Sequence, residues 1–180
     1  MKIGIVGSYG EYADLFDVSY PLSETSMLSW TQIEENTDAV LFTGGPDVRD
    51  SMDRTRVEIK IAEYCMSKNI PVLGICRGFQ FLGYLSGIDI TPHIDNHMMC
   101  THEVQDWRGR RFNVKGDHHQ AVPFEDNGKI DVLLTAPDGI VEAAYFPNVG
   151  GFGVQYHPEW MSDRSIGYRW FTARVKEFVK

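Results

Sequence analysis

The chain has 180 residues, with 17 Lys and Arg against 25 Asp and Glu, a formal charge of −8. Hydrophobic residues make up 43% and charged residues 23%, enough apolar side chain for a core, so intrinsic disorder is excluded. The acidic balance argues against a protein that grips nucleic acid, which needs a basic face, but leaves room for a small anionic substrate at one local positive site.

In chain order, KIGIVG (Lys2 to Gly7) is a short apolar run that closes on glycine, the pattern of a buried parallel strand. One Lys and a break at Ser8 make a poor signal peptide, and no run of about 18 apolar residues occurs anywhere, so a soluble, cytoplasmic chain with no membrane contact is expected. Gly4, Gly7 and Gly10 match neither the dinucleotide fingerprint nor a P-loop. DAVLFTGG (Asp38 to Gly45) and IPVLGI (Ile70 to Ile75) repeat the strand pattern. Between them, Val57, Ile61, Tyr64, Cys65 and Met66 recur near helical spacing, ending at Lys68-Asn69 before Pro71. Strand, helix, strand is a βαβ unit, so the fold expected is α/β, with a mostly parallel central sheet flanked by helices.

Arg77 to Leu85 is the next predicted helix, stopped at Gly87. VQDWRGRRFNV alternates as a hairpin with its turn near Gly109, and its arginines are read as a charged tip. KIDVLLTAP, GIVEAAYFP and GGFGVQYHP read as short strands. A last helix after a Ser/Asp cap puts Ile166, Trp170, Phe171, Val175 and Phe178 on one face. His93, His97, Cys100 and His102 have soft-ligand chemistry, but no helical period gathers them. That stretch is therefore read as a solvated loop over the active site, and no metal ligand is assigned.

Three cysteines with no close C-x-x-C pair suggest neither a disulfide framework nor a zinc ribbon. One of them carries the sharpest signal. Gly74-x-Cys76-x-Gly78, at the junction of a predicted strand and helix, has the spacing of a nucleophile elbow. Glycines two residues either side relieve a tight turn, and a helix N-terminus favours a thiolate. The plainer alternative is a buried cysteine on a turn. A thiol nucleophile needs a base and an orienting group, and His157-Pro158-Glu159 offers both: in extended chain, residues two apart point to the same side. Cys65 reads as a helix-core residue and Cys100 as a loop thiol without a role.

In order, TGGPD (Thr43 to Asp47), GICRGFQ (Gly74 to Gln80), HHQ (His118 to Gln120) and VQYHPE (Val154 to Glu159) resemble the class I glutamine amidotransferase superfamily, from about Ala39 to Trp160. Within it, the Cys-Arg-Gly-x-Gln elbow, GGPDV and Arg56 with Glu58 are most similar to the γ-glutamyl-γ-aminobutyrate hydrolase branch. The resemblance implies a flavodoxin-like sheet in a single domain spanning residues 1–180. It makes Cys76 the nucleophile, His157 the general base and acid, and Glu159 the orienting residue. Gly44, Gly45 and the N–H of Arg77 would form the oxyanion hole. Gln80 would contact the glutamyl group, with His119 and Gln120 lining the same pocket. The implied reaction needs no cofactor: amide hydrolysis of a small molecule, glutamine or a γ-glutamyl amide. Two departures stand out: Ser8 to Thr37 looks trimmed, and Lys115-Gly116-Asp117 replaces the branch's asparagine-serine. The chain's shortness also resembles glutaminase subunits that pass ammonia to a synthetase partner. A catalytically silent binding module that keeps the pocket is the third reading.

Overall fold

The structure is a computed structural model that describes residues 1–22, 33, 37–125 and 127–180. Among these, nine strands form one sheet: β1 (Lys2–Val6), β2 (Val18–Leu22), β3 (Ala39–Phe42), β4 (Val72–Ile75), β5 (Cys100–Asp106), β6 (Arg111–Gly116), β7 (Asp131–Thr135), β8 (Val141–Phe146) and β9 (Gly151–Val154). Three helices lie wholly within the described residues: α1 (Met52–Ser67), α2 (Arg77–Leu85) and α3 (Ile166–Phe178). The sheet order is β2-β1-β3-β4-β9-β8-β7-β5-β6. The first five strands in that order run parallel, and the remaining pairings are antiparallel. The expected α/β fold is therefore present, with an antiparallel extension on one side of its parallel half.

Sequence alternation explains the layering. Ile3, Ile5, Ala39, Leu41, Leu73, Ile75, Phe152 and Val154 face one core, where α3 contributes Trp170, Phe171 and Val175. Val40, Phe42 and Val72 face the other, against Ile61, Ala62 and Cys65 of α1 and Phe79, Phe81 and Leu82 of α2. Strands covered on both faces need apolar residues at every position, which is why these segments read as continuous hydrophobic runs. Ile166, expected on the buried face of α3, is 48% exposed because it occupies the helix's first position, outside the layer. Ser165 caps that helix, its hydroxyl accepting from Tyr168 N at 3.2 Å.

The hairpin forms as read, β5 on β6, with Gly109 at a φ of 78° in its turn. Its arginines pair within the hairpin: Arg110 with Asp106 and Arg111 with Glu103. The region read as trimmed supplies β2, a parallel edge strand on β1 that tolerates Pro21 there; residues 23–32 and 34–36 of that region lie outside the described residues. Among the described residues, no helix is long and apolar enough to cross a membrane. Strand β4 lies between β3 and β9, so the segments leaving the carboxyl ends of these three strands converge. In open α/β sheets that edge is where ligands bind.

Candidate active site

The elbow is built as the glycine spacing requires. Cys76 follows β4 and is the N-cap of α2, with φ 52° and ψ −109°. For a residue with a side chain this is strained backbone, costing about 1–3 kcal/mol unless the surroundings enforce it. They do: Cys76 N donates to Val154 O at 2.9 Å, and Cys76 O accepts from Gln80 N at 3.1 Å. A Cβ on Gly74 would lie 2.5 Å from the Gly78 carbonyl oxygen, and one on Gly78 would overlap the Phe42 carbonyl oxygen. The thiol is 7% exposed and points at the Asp117 carbonyl, 3.7 Å from Sγ to oxygen.

His157 leaves the end of β9, its N–H held by Lys115 O at 2.8 Å. Its Nδ1 meets Glu159 Oε1 at 2.6 Å, with the two side chains 6% and 1% exposed. The chain between them is not extended as expected: Pro158–Trp160 is a 3-10 turn, begun by the proline's fixed φ. The pair still forms because the turn brings the carboxylate back under the ring, and Trp160 stacks on the imidazole at 3.8 Å between centroids. Burial alone would lower the imidazolium's pKa, but Cys76 and Glu159 outweigh it and push His157 up to about 10. The loop after β3 closes the group. A Cβ on Gly44 would be 3.5 Å from His157 Cε1 and 3.8 Å from Cys76 Cβ.

The other expected residues fall into two sets. Gly44 N–H donates to the Tyr12 hydroxyl at 3.1 Å. The N–H groups of Gly45 and Arg77 donate to no described residue. Gln80, 3% exposed, points its Nε2 at Gln120 O and Gln155 Oε1, both at 3.2 Å, so Gln80 and Gln120 meet. His119 turns the other way, to Asp47 Oδ2 at 3.0 Å. A cavity of about 260 Å³ is lined by Trp160, which stacks on His157, and by Met99, Cys100, Thr101, Lys115 and Gly116. Two larger depressions, about 380 and 400 Å³, gather neither cysteine nor histidine.

Three residues were not anticipated. Tyr12 is buried, and its ionisation is held well above the usual phenol range by burial and then by the nearby Glu159 charge. Trp160 is the second. The third is Arg54, which grips the Gly44 and Thr43 carbonyls at 3.1 and 3.2 Å and pairs with Glu58 at 2.8 Å. Glu58 also pairs with the buried guanidinium of Arg77, whose other bonds reach Thr55 Oγ1 at 2.7 Å and Pro46 O at 3.1 Å. The signal for Arg54 was its i,i+4 spacing to Glu58; Arg56, singled out instead, is exposed and pairs with Asp53. Cys65 is a core residue, its thiol pushed up to about 12 by burial and so poorly reactive. The loop holding His93 and Asp95 is exposed as expected, but His97 within it is buried at 3%.

The γ-glutamyl-CDP-amidate hydrolase of Campylobacter jejuni is 28% identical over 173 residues, covering 91% of this chain and 84% of that protein. The pyrimidine-specific carbamoyl phosphate synthase small chain of Lactiplantibacillus plantarum is 29% identical over 132 residues. That match takes in 69% of this chain, which spans only 34% of the small chain. The crystal structure of a GMP synthase component from Thermoplasma acidophilum superposes with a TM-score of 0.73 at 16% identity, covering 99% of this chain and 92% of that one, and so shares the fold. The family model for glutamine amidotransferase class-I matches residues 5–171, and the chain belongs to that family.

Proposed function

We propose that residues 1–180 form one amidotransferase domain acting as a cysteine-dependent amidase, which hydrolyses the γ-amide of glutamine or a γ-glutamyl amide through a γ-glutamyl thioester. One observation carries this reading. A strained, helix-capping Cys76 sits in a site with a buried imidazole that Glu159 orients at 2.6 Å.

The Cys76 thiolate attacks the γ-carbonyl, forming an S–C bond and an oxyanion. The unpaired N–H groups of Gly45 and Arg77 receive that charge, each such donor being worth about 3 kcal/mol. Gly44 shapes the turn between them and the base. His157, protonated on both nitrogens at neutral pH by its raised pKa, gives a proton to the departing amine as the C–N bond breaks. It then takes a proton from the water that hydrolyses the thioester, releasing glutamate and restoring the thiolate. Gln80 and Gln120 line the glutamyl side, with His119 beside them on Asp47. The cavity beside Trp160, bounded by Lys115 and Gly116 where the sequence departs from the hydrolase branch, receives the amine half. A panel of γ-glutamyl amides, scored for ammonia or amine release, tests this: wild-type activity with none in Cys76→Ala is expected, and full activity in Cys76→Ala refutes it.

The carbamoyl phosphate synthase small chains among the relatives favour a second reading, a glutaminase subunit delivering ammonia to a synthetase partner. A glutaminase rate that rises severalfold when a candidate synthetase is added supports that reading, whereas a fast, partner-independent rate excludes it. In either case the reaction uses no cofactor, no nucleic acid and no membrane, and the protein works in the cytoplasm. A silent binding module would show no turnover and no modification of Cys76.

A further inference from the structure

A second constellation lies outside the elbow. Glu142, on β8, is 0% exposed, and three imidazole nitrogens surround its Oε1: His102 Nε2 at 3.0 Å, His97 Nδ1 at 3.2 Å and His118 Nε2 at 3.5 Å. The residues come from β5, the loop before it, and the segment after β6, so only the fold brings them together.

The outer nitrogens of two of these rings already have partners. His118 Nδ1 lies 2.9 Å from the Gln120 carbonyl oxygen, which can only accept, so Nδ1 bears the proton. His97 Nε2 lies 3.0 Å from Asp138 Oδ2 and donates in the same way. The inner nitrogens of these two rings, His97 Nδ1 and His118 Nε2, face the same carboxylate oxygen. Neither His97 Nδ1 nor His118 Nε2 makes a hydrogen bond despite its closeness, and Glu142 Oε2 has no partner either. One shared cation would give these buried atoms a partner.

The contacts to Glu142 Oε1 match the ligand spacing of a metal. Four tetrahedral ligands about 2.0–2.1 Å from zinc stand roughly 3.3 Å from one another, and the three contacts here run from 3.0 to 3.5 Å. The ligand atoms of His97, His102 and Glu142 all lie within 4.8 Å of each other, so they need only draw in on an ion, and His118 joins them through its 3.5 Å contact with Glu142. Asp138 on His97 and the Gln120 carbonyl on His118 are the outer partners that metal-bound imidazoles keep. A Cβ on Gly116 would stand 2.7 Å from His102 Cε1, so the glycine in the divergent Lys115-Gly116-Asp117 makes room for this ring.

We propose that His97 Nδ1, His102 Nε2, His118 Nε2 and Glu142 bind one divalent transition-metal ion, zinc by ligand type and spacing, in a closed structural site. All four positions are protein ligands, with His97, His118 and Glu142 buried and His102 partly so, which leaves the ion no open position for substrate. It pins the His97–His102 stretch to β8 and to the segment from Asp117 to Gln120. That segment touches Cys76 at one end and Gln80 at the other. The inference is independent of the amidase reading.

The test is made on the full chain carrying Cys76→Ser, so that the elbow thiol cannot hold the ion. Chelator-treated protein is titrated with Zn²⁺ against a competing chromophoric chelator, and then with Co²⁺. One Zn²⁺ per chain is expected. His102→Ala and Glu142→Gln should each weaken binding by more than about 100-fold, and Asp138→Asn by about 10–100-fold. Bound Co²⁺ should show the visible bands of a four-coordinate nitrogen and oxygen site without a near-ultraviolet thiolate band. If the ligand variants do not fold, the parent's Co²⁺ spectrum and the Asp138→Asn affinity decide. Absence of stoichiometric uptake, unchanged affinity in the variants, or a thiolate band from Cys100 overturns the proposal.

Discussion

Glu58 joins two arginines that hold the two halves of the site, and replacing it by Gln should be among the most damaging single changes in the chain. Glu58 and the Arg77 side chain are each 1% exposed, so neither charge is hydrated once its partner is lost. At an effective dielectric of about 20, two unit charges about 4 Å apart attract by about 4 kcal/mol. Removing one partner of such a buried pair usually costs about 3–5 kcal/mol. The Arg54 side chain is 24% exposed and can turn to water, so its share is below about 1 kcal/mol. The expected loss for Glu58→Gln is therefore about 3–5 kcal/mol, a large fraction of the roughly 5–15 kcal/mol that holds an ordinary domain folded. Urea unfolding at neutral pH measures it as a shift in midpoint at unchanged slope. Replacing both partners, Glu58→Leu with Arg77→Met, should recover most of the loss, because the cost is that of an unpaired charge. A loss below about 1 kcal/mol in Glu58→Gln would refute the reasoning, since the pair would then be hydrated or unformed.

Gly78→Ala places a methyl on the Phe42 carbonyl oxygen. It should cost more than about 3 kcal/mol or leave a folded protein with its elbow displaced and no turnover, as read by thermal unfolding and amide hydrolysis. Tyr12→Phe strands the Gly44 N–H, so stability should fall by about 1–3 kcal/mol and kcat should fall more than KM changes. His157 has its folded pKa raised from 6.5 to about 10, so its contribution to stability is complete below about 6.5 and is lost as pH rises toward about 10. Glu159→Gln removes one of the two groups that raise it, so the alkaline loss of stability should be smaller and should be complete at lower pH, as followed by urea unfolding across that range.

The parts of this molecule that could be read from sequence are those governed by local sterics or by a short period. The apolar runs of β1, β3 and β4 follow from coverage on both faces, and the elbow from two glycines that no other residue can replace. The His157–Glu159 pair was visible because its members are two residues apart, although a proline-started turn rather than extended chain joins them. β2 was hidden by Pro21, which reads as a breaker and is tolerated at the sheet edge. The cluster around Glu142 was hidden for a different reason: His102 and Glu142 are 40 residues apart and meet through pairings of β5, β7 and β8 that no local pattern encodes. The Tyr12 hydroxyl on Gly44 spans 32 residues and was equally out of reach.

The central claim is that Cys76 alone is the nucleophile of a γ-glutamyl site. A chloroketone analogue of glutamine, incubated with the protein and followed by peptide mass spectrometry, tests it most directly. The account predicts one adduct per chain, on Cys76, slowed by added glutamine or γ-glutamyl amide and lost with activity in His157→Gln. An adduct on Cys65 or Cys100 instead, or turnover that persists after Cys76 is fully modified, would contradict it.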